Sequence, residues 1–307
     1  SPFAFPMVKS LSNTAFFIKI LLQEITMSLS NIGRYEVISE LAHGSMGIIF
    51  LARDPFVHRS VVVKVLNFQF AEEEHHRSFF QQEAKIIASL EHPCIVPIYD
   101  FGWIGSQPYF VMRHMEGGTF SDVRKTRDID LPEFGKIIQR LCEALDAAHA
   151  RNIIHRDIKP GNILFDLEQK AYLADFGIAK QDTGVADGED WVVGTPSYMS
   201  PEQCLSQPVG PQSDVYSMGV LIFEMLAGER PYLGDALTDI LDQHVNAPIP
   251  RLADYNPDLH SAWQEIIEKA MAKNPFDRYK TPGDLAKDVD SLVSGRWFWR
   301  KLYSEDE

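Results

Sequence analysis

The chain is 307 residues long, more than one compact core of ordinary size holds and about right for two. Its 45% apolar and 23% charged residues, with 5 Trp and 19 Phe, exclude a disordered chain. A formal net charge of −14 argues against a nucleic-acid binder, whose affinity comes from clustered Lys and Arg, so no nucleic-acid partner is expected.

Residues 1–26 are apolar but carry Lys9, Lys19 and Glu24. Their densest run, AFFIKILL, is far shorter than the ~20 apolar residues that span a bilayer. No small-residue cleavage site follows, which argues against a signal peptide. The segment reads as an upstream extension forming a short strand or helix, with Met27 a candidate start. From Arg34 the pattern changes. RYEVISEL (34–41) alternates as a strand, AHGSMG (42–47) reads as a turn, and IIFLAR (48–53) as a second strand. SVVVKVL (60–66) is a β-branched third strand. Residues 72–92 place Phe79, Ile86, Ile87 and Leu90 near helical spacing, and Pro93 ends the pattern. CIVPIYDFGW and QPYFVMRHM add two strands.

HMEGG (114–118) is a break, and helical patterns follow at 132–150, 213–228 and 259–273. The expected fold is α+β and two-lobed. An extension (1–33) precedes a small β-rich N-lobe with one helix (34–112), a hinge (113–117), a larger, mainly α-helical C-lobe (118–295) and a tail (296–307). Ligand sites favour the junction of such lobes. Cys94, Cys142 and Cys204 have no metal-ligand spacing and are odd in number, so reduced, mostly buried thiols in the cytoplasm are expected. His75 and His76 at a helix start read as exposed, and RWFWRKLY (296–303) as a terminal helix packed on the α lobe.

The chemistry is concentrated in a few places. AHGSMG lies between two strands, so its glycines do not lead into a helix N-terminus as in a P-loop. Such a turn can lie flat over phosphates, with Gly44 and Gly47 letting the backbone approach, although an ordinary hairpin turn looks similar. Lys64 inside VVVKVL must enter a pocket, meet a counter-ion or reach solvent at a strand edge. Glu83, nineteen positions on, is a candidate counter-ion that would hold the amine against an anionic ligand. The stretch HRDIKPGNILFDLEQKAYLADFG (155–177) then gathers two carboxylates, an amine and an amide around a short β-prone run. Phosphoryl transfer asks for positioning and charge neutralisation more than for covalent help. Asp157 can orient a hydroxyl and accept its proton, and Lys159 can stabilise a travelling phosphoryl group. Asn162 and Asp175 supply a neutral and an anionic oxygen, hard donors suited to Mg²⁺.

HRDIKPGN (155–162), DFG (175–177), SPE (200–202), VVVK (61–64) and SDVYSMG (213–219) resemble, in order, the motifs of the eukaryotic-type (Hanks-type) protein kinase family. The resemblance covers about 34–290. It implies ATP with Mg²⁺, Lys64 on the α/β-phosphates paired with Glu83, Asp157 as catalytic base, Lys159 as a phosphate contact, and Asn162 and Asp175 as metal ligands. It places Leu41, Ala42, Gly44, Gly47, Ile49, Val62 and Leu164 around the nucleotide, Met112 at the gatekeeper position, and Arg113 to Met115 at the hinge that reads adenine. It implies a Glu202–Arg278 pair, Asp214 holding the backbone of His155 and Arg156, and a stack of Ile87, Ile98, His155 and Phe176. The family has a glycine where Ala42 stands and a small alanine where Val62 stands. DIKPGN and GTPSYMSPEQ look like the serine/threonine group, with Thr195 contacting Asp157 and Lys159, and phrases such as HPCIVPIYDFG look bacterial. Bacterial relatives often join the domain to a sensor or membrane attachment, which the flanking regions would carry. Asp187, Glu189 and Asp190 are candidates to stand in for an activating phosphate beside Arg156, against the plainer reading of a solvated acidic loop, and Thr183 is a candidate autophosphorylation site. The expected activity is transfer of the γ-phosphate of Mg·ATP to Ser or Thr hydroxyls of proteins; the rivals are a small-molecule kinase, against which the SPE segment and GTPSY speak, and a catalytically silent nucleotide-binding scaffold, which Ala42 and Val62 suggest.

Overall fold

The structure, a computed structural model, describes residues 30–44, 47–66, 81–82, 84–176 and 196–296. These fall into two compact units, one within Ser1–His76 and Ile98–His114, the other within Arg77–Pro97 and Met115–Glu307.

The first unit is an antiparallel sheet of β1 (Asn31–Ile32), β2 (Tyr35–Gly44), β3 (Gly47–Asp54), β4 (Arg59–Leu66), β5 (Ile98–Ile104) and β6 (Gln107–Arg113), ordered β1-β2-β3-β4-β6-β5. Strand period two sorts β4 into two faces. Val61, Val63 and Val65 enter a core with Ile48, Phe50, Ala52, Tyr35, Tyr109 and Val111. Burying each large apolar side chain there contributes about 1.5–3 kcal/mol. Val62 and Lys64 take the other face. Because β4 lies between β3 and β6, Lys64 is not at a sheet edge; it is buried, opposite Ile49 and Phe110. The expected turn at 42–47 is shorter than its letters suggest. Ala42, His43 and Gly44 continue β2 and pair with Ile49, Ile48 and Gly47, and the register shifts between Glu40 and Ala42. The backbone pairing overrides the turn propensity of the glycines.

From Met115 onward, among the described residues, the second unit has the α-helices α1 (Phe120–Thr126), α2 (Leu131–His149), α3 (Pro201–Cys204), α4 (Pro211–Ala227), α5 (Leu237–Asn246), α6 (Ala262–Ala270) and α7 (Pro282–Val293). A hairpin of β7 (Ile163–Phe165) and β8 (Ala171–Leu173) joins them. Helix starts follow side-chain chemistry: Thr119, Asp130 and Thr281 each accept a first-turn N–H. Helix α4 is buried from Ser213 to Phe223 on every face, the signature of a central helix. Gly219 lets α6 approach, since a Cβ there would lie 2.7 Å from Met271 Cγ and 2.9 Å from Ala270 Cβ. The helix ends at Gly228, at φ 86°.

Three helical expectations shift. The 72–92 pattern is helical at 81–82 and 84–88 and closes before Leu90 in a tight turn, the Leu90 N–H bonding the Ile87 carbonyl at 3.0 Å. Helix α4 begins two residues early, with Pro211 at its first position, where a missing N–H costs nothing. Helix α6 is shorter than 259–273 because His260 and Ser261 form a turn before it. Among the described residues no helix is long and apolar enough to cross a membrane.

Candidate active site

In the second unit the loop after α2 is organised by Asp214, fully buried on α4. Its Oδ2 accepts from the His155 N–H at 2.9 Å and lies 2.7 Å from His149 Nε2, and its Oδ1 accepts from the Arg156 N–H at 2.9 Å. These charge-assisted bonds hold Arg156 at φ 65°, a left-handed conformation that costs a non-glycine residue about 1–2 kcal/mol. The buried His155 ring accepts from the Asp157 N–H at Nδ1 (3.2 Å), so Nε2 carries the proton and donates to the Ala174 carbonyl at 2.9 Å. Its face packs on Phe176, centroids 4.6 Å apart.

This scaffold presents Asp157. Its carboxylate Oδ2 is 2.9 Å from Lys159 Nζ and accepts from Asn162 Nδ2 at 2.9 Å. The same Asn162 nitrogen donates to the Asp157 carbonyl at 2.7 Å, so the amide's donor end is committed inward and Oδ1 is its lone-pair end. Asn162 and Asp175 are brought together by the hairpin register. Ile163 pairs with Leu173, and the Ala174 N–H donates to the Asn162 carbonyl at 2.9 Å, one residue before Asp175. Asp175 itself sits at φ 60°. A neutral amide oxygen and a carboxylate on a strained turn are a hard donor pair, and they fit a hydrated Mg²⁺ that takes its remaining ligands from phosphate.

Beside the loop, Arg278 and Glu202 form a two-bond fork of 2.8 and 2.9 Å, both buried. The Arg278 guanidinium also donates to the carbonyls of Ala272, Gln212 and Lys273. Burial alone would raise the Glu202 carboxyl; the bonds from Arg278 and Ser213 outweigh it and hold the group below the ordinary range. Ser213 Oγ donates to Glu202 at 2.6 Å, and Ser217 Oγ to the Tyr198 carbonyl at 2.7 Å. Sequence reasoning missed His149, Ser213 and Ser217. Each is a common residue on an ordinary helix, and only contacts 65, 11 and 19 positions away distinguish them.

Leu41, Ala42, Gly44, Gly47, Ile49, Val62, Lys64, Met112 and Arg113 belong to the first unit, on β2, β3, β4 and β6. Gly47 is at φ 150°, and a Cβ there would lie 2.0 Å from the Val65 carbonyl oxygen, so only glycine fits. Val62 pairs with Met112 across β4 and β6. Met115 and Leu164 belong to the second unit, where Leu164 bridges Thr119. Of the stacked residues, Ile98 lies in the first unit and Ile87, His155 and Phe176 in the second. Glu83, Thr183, Asp187, Glu189, Asp190, Thr195, His75 and His76 lie outside the described residues, as do Gly177 and residues 297–303.

Comparison with known proteins places these motifs in context. Residues 35–298 match the family model described as protein kinase domain. Serine/threonine-protein kinase PknB of Mycolicibacterium smegmatis is 38% identical over 275 residues, covering 86% of this chain and 43% of that protein. Serine/threonine-protein kinase PrkC of Bacillus subtilis is 35% identical over 279 residues, covering 90% of this chain and 43% of that protein. The chain thus spans less than half the length of these curated relatives. Among solved structures, the Mycobacterium tuberculosis PknI kinase domain superposes with a TM-score of 0.68 at 27% identity, covering 85% of this chain and 97% of that one.

Proposed function

The chain belongs to the protein kinase domain family, and on that premise we propose that it transfers the γ-phosphoryl group of Mg·ATP to Ser and Thr hydroxyls of proteins. The observation that carries the reading is one connected set of contacts. Asp157 is held between Lys159 and Asn162, and Asn162 is bonded through its backbone to the residue before Asp175. The serine/threonine choice is supported by DIKPGN and by the names of the relatives.

In this reading Asp157 accepts a hydrogen bond from the substrate hydroxyl, orients its oxygen toward the γ-phosphorus and takes the proton as the new P–O bond forms and the bond to the β–γ bridging oxygen breaks, leaving ADP. Lys159, 2.9 Å from that carboxylate, would face the charge of the transferring group. Asn162 and Asp175 would hold Mg²⁺, which neutralises phosphate charge when bound. Lys64 would anchor the α/β-phosphates, with Glu83 as counter-ion. The strands that carry Leu41, Ala42, Gly44, Gly47, Ile49 and Val62, with Leu164, would enclose the nucleotide, and Met112, Arg113 and Met115 would read its base. The segment 196–203, pinned to α4 by Ser213 and Ser217, would receive the polypeptide. A reducing, cytoplasmic setting fits three free cysteines whose thiols burial holds protonated, Cys204 being pushed up to about 11. Attachment to a sensor or membrane segment through flanking sequence belongs to the same proposal.

The test is phosphoamino-acid analysis after incubation with γ-labelled ATP, Mg²⁺ and casein. The reading expects phosphoserine and phosphothreonine with the unmutated chain and none with Asp175→Ala. Nucleotide binding without label would mark a scaffold and overturn it.

A further inference from the structure

One side-chain amide in the second unit spans two motifs 47 positions apart. Gln203 Nε2 donates to the Arg156 carbonyl at 3.0 Å, while its Oε1 accepts from the Ser200 N–H at 3.1 Å and the Ser200 hydroxyl at 3.2 Å. The Arg156 carbonyl belongs to the peptide unit that leads into Asp157. The other edge of that unit, the Asp157 N–H, is bonded to His155 Nδ1. The peptide plane before the base is therefore gripped on both edges, next to a residue at φ 65° that has every reason to relax. Ser200 is fully buried at the start of α3, the end of the segment that lies against α4.

The residue type is informative. At the third position of a helix opened by Ser200, the capping box takes Glu or Gln, and the helix dipole favours Glu. A carboxylate would satisfy Ser200 equally well. It would also set a negative oxygen against the Arg156 carbonyl, because it cannot donate. Only an amide with this reach accepts at one end and donates at the other, so the local helix start does not explain the choice and the bond to Arg156 does.

We propose that Gln203 is a positioning residue for phosphoryl transfer. It locks the Arg156–Asp157 peptide to the segment 196–203, so that the base and the surface receiving the polypeptide hold one alignment. The proposal rests on the kinase reading above. Alignment errors act on the transition state more than on ground-state binding, so the effect belongs in kcat.

The experiment is steady-state kinetics of the full chain with Mg·ATP and a threonine peptide, on the unmutated protein, Gln203→Glu and Gln203→Lys, with melting temperatures alongside. Lysine donates without accepting, and glutamate accepts without donating. Coupling predicts the kcat order Gln, then Lys, then Glu, with Gln203→Glu down about tenfold for one lost positioning bond and both KM values within about twofold. A capping role alone predicts the opposite ranking, Glu equal to Gln with Lys lowest in both kcat and melting temperature, and that result overturns the proposal. If the unmutated chain phosphorylates no peptide, the kinase reading itself falls and takes this one with it; if it does and Gln203→Glu keeps its kcat, only the coupling falls.

Discussion

Gly44 and Gly47 look alike in the sequence, and the structure separates them. A Cβ on Gly44 meets nothing within 4 Å, whereas at Gly47 it would strike the Val65 carbonyl at φ 150°. Gly47→Ala is therefore expected to destabilise the chain by about 1–3 kcal/mol through backbone strain, and Gly44→Ala by less than about 1 kcal/mol, read by urea unfolding. Equal losses would contradict the assigned backbone. At this scale the sequence was most informative where chemistry forces an unusual residue. Lys64 in a valine strand and the Asp157, Lys159, Asn162 cluster are legible because Lys64, Asp157 and Asn162 are expensive to bury without a use. Gln203 was not legible, since Gln is ordinary near a helix start and only its contact with Arg156 sets it apart.

Helix α5 shows what happens one scale up. Leu237, Ile240, Leu241 and Val245 follow helical spacing along its ten residues, yet sequence reading passed over it as it did over the seven-residue α1 and over α7. Its anchor is a single histidine. His244 is fully buried, 3.0 Å from Tyr216 Oη on α4, edge-on to Tyr232, with Lys273 donating to its carbonyl at 2.7 Å. Burial, with the Lys273 ammonium second, pushes its pKa down from 6.5 to about 4. The unfolded chain therefore binds a proton between pH 6.5 and 4 that the folded chain refuses, so stability is lost as the pH is lowered through that window. The drop attributable to this group approaches ~3 kcal/mol. His244→Gln should lack that component when the urea unfolding free energies of both proteins are compared at pH 7 and pH 4.5; identical pH dependence would show that the imidazole is not buried neutral. The gap at Gly219 is the other element-level device, and Gly219→Val should cost about 1–3 kcal/mol by forcing α6 off α4.

For the whole molecule, fold and family followed from the order of motifs, and the family resemblance also implied the Glu202–Arg278 pair that the structure shows. What it did not give is the rest of that fork, the three carbonyls of Ala272, Gln212 and Lys273 that the same guanidinium ties. Only the packing around α4 brings them together. Arg278→Met leaves a buried carboxylate without its partner and should cost roughly 3–5 kcal/mol in urea unfolding. The proposed reaction has Asp157 as its base, and the most direct test of that proposal is the single-turnover rate of γ-phosphoryl transfer to a threonine peptide at saturating Mg·ATP. Asp157→Asn should slow that rate by roughly 10²–10⁴ while leaving ATP affinity within about threefold. A variant that transfers phosphate at the unmutated rate would contradict the account.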